Sequence, residues 1–446
     1  MPSKEELKVK VCEEIERNAE QIIALARDIE TNAETGFREV ETARLVADKF
    51  AETGVKYQDG LAITGVKGML NGNGDGPTVA VLGELDALIV PANPNAHPKT
   101  GAAHACGHNA QIGMLVGTAL GLKQAGVLPS LSGSVALMAI PAEEYIEIEY
   151  RDGLRREGKL SYLGGKPELI KLGHFDDVDM AIMTHVGKKR DGCVSGARGG
   201  SSNGSIAKRI EFIGRGAHAG AAPYEGVNAL NAANIALLAI HAQRETFKDK
   251  DAVRVHPIIT KGGGSVNAVP DDVRMETFVR GRTIEAILDA NEKVDRALRA
   301  GALAVGGSVR ITTLPGYFPM MSDPTLRDLF RDNAVDLLGE DKVIPIQPDS
   351  HAAGSTDLGD LSQLIPCICG YAAGAVGMSH GSDFVIEDYN LAVVAPSKIM
   401  AMMVIDLLAD GAAVAKEMIA EYKSPMTKQQ YLASLEGLLK QEEYQG

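Results

Sequence analysis

Two short motifs in this sequence set metal-binding and proton-transferring side chains close together. His104-Ala-Cys-Gly-His108 places a thiol and an imidazole on either side of a glycine, and the freedom of Gly107 lets the chain turn so that both can converge on one point. Taken alone, the same residues read as a structural cysteine beside a hydrogen-bonded histidine. Pro141-Ala-Glu-Glu144 carries adjacent carboxylates; neighbouring side chains point apart, so one can hold a metal while the other faces a water as general base. His185 and His380, in Gly377-Met-Ser-His-Gly-Ser-Asp383, are singly no more than ordinary core or surface histidines. As a set, a thiol, carboxylate and imidazoles supply the S, O and N ligands of a transition-metal site.

The elements that must position them are legible in the hydrophobic pattern. Residues 78–86, 134–140 and 179–185 are short, nearly continuous apolar runs with polar residues at or just beyond their ends, the pattern of buried parallel strands with function at their carboxyl ends. Residues 110–124 read as a buried helix between the first two, giving an α/β unit. Apolar positions near a 3.6-residue repeat over residues 4–29 and 40–50 predict amphipathic helices at the start of the chain. Residues 199–313 form a separate pattern of strand, helix, two strands, helix and strand, a split βαβ (ferredoxin-like) arrangement. The expected fold is therefore two-domain α/β: a discontinuous domain, residues 1–198 and 314–446, with a central mostly parallel sheet, interrupted by a smaller inserted domain, residues 199–313. The last residues read as charged helix and tail.

Composition narrows the function. The 446 residues are 45% hydrophobic and 23% charged, an ordinary globular balance, and 45 Lys+Arg against 59 Asp+Glu leave a formal charge of -14. Such an acidic surface repels phosphate backbones and anionic lipid, so neither a nucleic-acid nor a membrane partner is expected. No uninterrupted apolar run reaches the roughly 18 residues of a membrane span. The charged N-terminal segment has no secretory pattern, and a cytoplasmic location is expected. The five cysteines are an odd number and mostly far apart, which predicts reduced thiols. A Walker A loop, a G-x-S-x-G elbow, H-E-x-x-H and C-x-x-C are read as absent, and Gly214 and Gly216 do not complete a dinucleotide fingerprint.

The motifs, taken in order, resemble the M20 metallopeptidase and amidohydrolase family. They are Gly83-Glu-Leu-Asp-Ala-Leu88, His104-Ala-Cys-Gly-His-Asn109, Pro141-Ala-Glu-Glu144, residues 179–185, Gly216-Ala-His-Ala-Gly-Ala-Ala-Pro223, Gly262-Gly-Gly-Ser-Val-Asn-Ala-Val-Pro-Asp271, Ser355-Thr-Asp-Leu-Gly-Asp-Leu-Ser362 and His380. The resemblance is to the branch with a C-G-H motif. It implies a catalytic domain with two divalent metal ions, zinc or manganese or else cobalt, and a smaller lid domain through which a homodimer or higher homo-oligomer forms. It assigns Cys106, His108, Glu144, His185 and His380 as metal ligands and Glu143 as general base. His218 is assigned as a lid histidine that stabilises an oxyanion, often in a neighbouring subunit's site; Asn267 and Arg280 are assigned as substrate-facing.

Cys106-Gly-His-Asn-Ala-Gln111, where the commoner motif has C-G-H-D-x-H, and Ser355-Thr-Asp-Leu-Gly-Asp360 are similar to the aminobenzoyl-glutamate and β-alanyl-dipeptide hydrolase subgroup. Residues 145–162 intervene where the family has a short glycine-rich link, and are expected to form a peripheral, solvated helix, with substrate contact by its charged residues as the alternative. A longer loop at residues 95–101 carries His97, expected at the surface. The function implied is hydrolysis of a C–N amide bond in a small N-acyl amino acid or dipeptide-like substrate. The alternatives are an aminohydrolase releasing ammonia from an electron-poor aromatic or amidine-like carbon, and a non-catalytic binding protein on the same scaffold.

Overall fold

The strands that carry the motifs assemble side by side. In the computed structural model, which describes residues 2–197 and 199–446, a seven-stranded sheet runs in the order Lys56–Leu61, Gly65–Asn71, Ser134–Ile140, Thr78–Glu84, Met180–Val186, Cys367–Ala372 and Ser195–Ala197. Its four central strands, from Ser134–Ile140 to Cys367–Ala372, are parallel, and the flanking pairs are antiparallel. The apolar runs are continuous because both faces are covered. Val79, Val81, Val135, Leu137, Met180 and Ile182 pack into one core with the helices Lys4–Arg17, Ala19–Thr31, His108–Gln124 and Ala395–Leu408. Ala80, Leu82, Ala136, Met138, Ala181 and Met183 pack into another on the opposite face. The apolar helical stretch Asn390–Leu408 is long enough to cross a membrane by composition, yet 83% of it is buried in the first of these cores.

A second sheet is wholly antiparallel. Asp272–Gly281 lies between Gly204–Ile213 and the short strands Arg254–Val255 and Ile258–Lys261; Ser308–Pro315 follows on the far side of Gly204–Ile213. The strict alternation of buried and half-buried residues along Asp272–Gly281 marks a sheet with one covered face, here covered by the helices Ala229–Ala242 and Ile284–Val305. The first of the two adjacent strands expected between the helices is broken in two at His256-Pro257, where proline supplies no ladder donor.

Two expectations change. The C-terminal segment is not a tail: Lys440–Gln445 is an edge strand of the second sheet, paired with Ser308–Pro315. Its charged sequence hides this, because an edge strand needs no continuous apolar face. Residues 145–162 are not peripheral either. They carry the helix Ile148–Arg156, whose Ile148, Arg151, Asp152 and Leu154 are buried, so its charges include buried hydrogen-bonding groups rather than a solvated stripe.

Candidate active site

All four central strands of the large sheet end at one rim, and the chemistry-bearing residues lie on the turns that follow. After Ala105 the chain passes through Gly107 at φ +83°, where a Cβ would sit 2.1 Å from the Val186 side chain. This left-handed turn starts the helix His108–Gln124 and lets Cys106 and His108 approach the strand end at His185. Cys106 Sγ is 3.2 Å from His185 Nε2. The turn after Ser134–Ile140 puts Ala142 at φ +55° and presents Glu143 and Glu144. His380, also in the left-handed region at φ +66°, reaches back to place Nε2 3.3 Å from Glu144 Oε1. A non-glycine residue held there marks a position the surrounding structure imposes.

Two ligand triads result, each with its atoms within 4.8 Å of one another: Cys106, His108 and His185, and Cys106, Glu144 and His380. Cys106 is common to both. The donor atoms fit cations. His108 Nδ1 lies 2.9 Å from the Asp86 carbonyl and His185 Nδ1 2.8 Å from its neighbour Val186's; donating there leaves each Nε2 lone pair facing inward. Apart from Glu84 Oε2 at 3.1 Å from His108 Nε2 and His380 Nε2 at 3.3 Å from Glu144 Oε1, these two buried atoms have no further partner among the described residues, which a bound ion would supply.

Electrostatics divide the two glutamates. Burial raises both, but the His380 hydrogen bond and charge pull Glu144 down to about 2, keeping it an anionic ligand. Burial, then the Glu84, Glu144 and Asp357 carboxylates, push Glu143 well above the usual carboxylate range, giving it the proton affinity of a base. Burial and Glu144 push the Cys106 thiol up, yet His185 and His108 outweigh them and bring it down to about 6, favouring the thiolate that binds metal.

Motif reasoning left out a buried charge network beneath Glu143. Glu84 makes a third close group with His108 and Glu143. Its carboxylate accepts from Lys166 Nζ at 2.6 Å and Gln111 Nε2 at 2.9 Å, and Lys166 also pairs with Asp357. Lys166 and Asp357 are fully buried. Glu84 and Asp357 stood inside quoted motifs; what could have singled them out is a carboxylate at the end of an apolar strand, the signal used for Glu143 and Glu144. Gly377-Met-Ser-His-Gly381 spells the G-x-S-x-G of serine hydrolases, but Ser379 is exposed in a turn between the short strands Ala375–Val376 and Val385–Ile386, not on a strand-to-helix elbow.

The ligand residues open into a cleft of about 350 Å³ between the two sheets, lined from the catalytic side by Cys106, Glu143, Glu144, His185 and His380, and from the other by Phe278, Arg280 and Tyr317. Arg280 is half-buried; its guanidinium lies 5.1 Å from the Phe278 ring centre, and no carboxylate is within ion-pair distance among the described residues. His218 and Asn267 are elsewhere. They lie on adjoining lid loops, with the Ala219 amide donating to the Asn267 carbonyl at 2.9 Å; both are exposed and neither lines the cleft. His218 Nδ1 accepts from the Gly220 and Ala221 amides at 3.2 and 3.0 Å, so the ring proton sits on Nε2.

Sequence comparison places this arrangement. The profile described as peptidase family M20/M25/M40 matches residues 80–397, well over half of the chain. The chain belongs to that family. It is accordingly an M20-type hydrolase with a catalytic domain and a lid. This M20 chain is 28% identical over 354 residues to an IAA-amino acid hydrolase (ILR1-like 4) of Arabidopsis thaliana, covering 77% of this chain and 75% of the relative. It is also 28% identical over 347 residues to the Xaa-Arg dipeptidase of Mus musculus, covering 74% and 70%. The fold is similar to a dinuclear metal-binding peptidase of the M20 family from Bacillus subtilis, with TM-score 0.61 and 22% identity, covering 87% of this chain and 98% of that one.

Proposed function

We propose that this M20 hydrolase cleaves the amide bond of a small N-acyl amino acid or dipeptide-like substrate, using two divalent ions held by Cys106, His108, Glu144, His185 and His380. The observation that carries the reading is the pair of ligand triads sharing the Cys106 thiol, with Glu143 beside them and the unpaired Arg280 at the rim. The amino acid conjugates and dipeptides named for the two relatives belong to the same substrate class. Bound ions would lower the pKa of a water to about 7 and polarise the carbonyl under attack. The remaining work falls to side chains. Glu143 takes the proton of the attacking water and returns it to the leaving amine. Arg280 pairs with the substrate carboxylate, a bidentate match its planar fork supports. Lid closure, or a second copy of the chain, brings His218 Nε2–H to the developing oxyanion. The exposed edge strand Ile258–Lys261 is a surface on which two lids can pair. Thiolate and imidazole donors suit zinc, and the carboxylate also admits manganese.

The test is a panel of N-acyl amino acids, dipeptides and amino-substituted heteroaromatics, incubated with enzyme reconstituted with zinc or manganese. Stoichiometric release of an amino acid supports the reading; ammonia release without it makes the protein an aminohydrolase. Loss of turnover after chelation, restored by the added ion, is expected in the first case.

A further inference from the structure

The turn that aims Glu143 and Glu144 does not hold itself. Ala142 is left-handed without being a glycine, and almost none of the backbone polar groups of residues 142–144 pairs with another backbone group. The Ala142 amide donates to Glu39 Oε1 at 2.8 Å. The Glu143 and Glu144 amides donate to the two oxygens of Asp86 at 3.0 and 2.9 Å, and the Glu143 carbonyl accepts from the Tyr317 hydroxyl. The Ala142 and Glu144 carbonyls both accept from one side chain, Arg151, at 3.2 and 2.6 Å; the same guanidinium also reaches the Leu163 carbonyl at 3.0 Å. Among the described residues the only backbone partner is the Ile146 amide on the Glu144 carbonyl.

Arg151 belongs to the helix Ile148–Arg156 and is completely buried. Burying a guanidinium is unfavourable unless its donors are used. Here Nη1 and Nη2 meet three carbonyls, with the Asp86 carboxylate 3.9 Å away as counter-charge; Nε alone has no partner among the described residues. The chain also leaves room for it at a distant position. A Cβ on Gly36 would come within 2.1 Å of Arg151 Nη2.

We propose that Arg151 is a positioning residue, whose fork clamps the Ala142 and Glu144 carbonyls and so holds Glu143 and Glu144 at the angle the site requires. Asp86 holds the Glu143 and Glu144 amides, and Arg151 the two carbonyls that flank them. The proposal rests on the reading of Glu143 and Glu144 as base and ligand given above, but the clamp itself is measurable without catalysis. Arg151 touches neither substrate nor either carboxylate in this arrangement; it acts through the backbone. A lysine in its place keeps the charge beside Asp86 but cannot span three acceptors with a planar fork.

Amide hydrogen exchange, read by mass spectrometry on the metal-free full-length chain, tests it. In Arg151→Lys, exchange in peptides covering residues 141–146 should quicken by about ten-fold or more, because charge-assisted hydrogen bonds are lost from a local unit. The strands Thr78–Glu84 and Met180–Val186 should keep their protection. In Arg151→Ala, millimolar ethylguanidinium should restore protection of residues 141–146 and, in metal-loaded enzyme, recover kcat with KM little changed. Unchanged exchange at 141–146 in a folded Arg151→Lys protein would overturn the proposal. So would an even rise across the strands, which would make Arg151 a residue of the whole core and not of this turn. If the turn loosens as expected while the unaltered protein hydrolyses no amide, the clamp stands and the hydrolase reading fails.

Discussion

The catalytic rim and the lid loops that carry His218 and Asn267 are built to opposite rules. At the rim, Glu84, Asp86, His108 and Lys166 are at most 1% exposed, and each side chain is fixed by partners from other strands and helices. In the lid, His218 and Asn267 sit on exposed loops held mainly to each other, and neighbouring Val266 is 96% exposed. Buried charge demands complete pairing and so enforces one geometry; exposed loops make no such demand and are free to meet a substrate or a second subunit. One half of the proposed site is therefore preorganised by its own packing, and the other must be delivered to it.

The largest effect should come from the rim's base. Glu143→Ala is expected to retain metal and lose about 10²–10⁴-fold in kcat, the range for a positioned general base. Elemental analysis and initial rates check both halves, and metal loss in this variant with retention in Glu144→Ala would exchange the two roles. Next is the network beneath. Lys166→Met would leave Glu84 and Asp357 without their shared cation, at a cost of about 3–5 kcal/mol, measurable as a lower denaturation midpoint. The lid has its own buried pair, Lys208–Asp295 at 2.7 Å, inside its core, but the pair beside the His218 and Asn267 loops, Lys261–Asp272, is 46% and 37% exposed and should contribute less than about 1 kcal/mol. A Lys261–Asp272 pair as costly to break as Lys166 would end the contrast.

The same contrast explains what the sequence reveals. Strand ends and ligand types are local signals: an apolar run ending in His185, or Cys106 and His108 flanking a glycine, can be read from a few neighbouring letters. The parallel order of the central strands and the helices covering both faces follow from such runs. Lys166 is different. Its partners Glu84 and Asp357 lie 82 and 191 positions away, and a lysine in a Gly-Gly-Lys-Pro stretch looks like surface until both carboxylates close over it. Arg151 is hidden for the same reason, within a run of charges whose inward face only the packed helix defines. The C-terminal strand Lys440–Gln445 is illegible because its pairing partner, not its own composition, makes it a strand.

His218 is the sharpest test of a half delivered from outside. Its Nδ1 is occupied by two backbone amides, leaving Nε2–H as the donor, and His218 is not among the described residues that line the cleft. An oxyanion donor acts in the transition state, so His218→Ala should lower kcat by about 10²–10³-fold while KM and bound metal hardly change. Stability should also hold, since an exposed loop residue carries little of the core. If the histidine comes from a second copy, inactive Glu143→Ala and His218→Ala proteins allowed to exchange subunits should regain part of the activity, because some sites then combine an intact rim with an intact lid. Proven exchange without recovery would place His218 in the site of its own chain, reached by closure of its own lid. Full activity of the single variant would remove it from the chemistry, and with it the idea that this lid completes the rim.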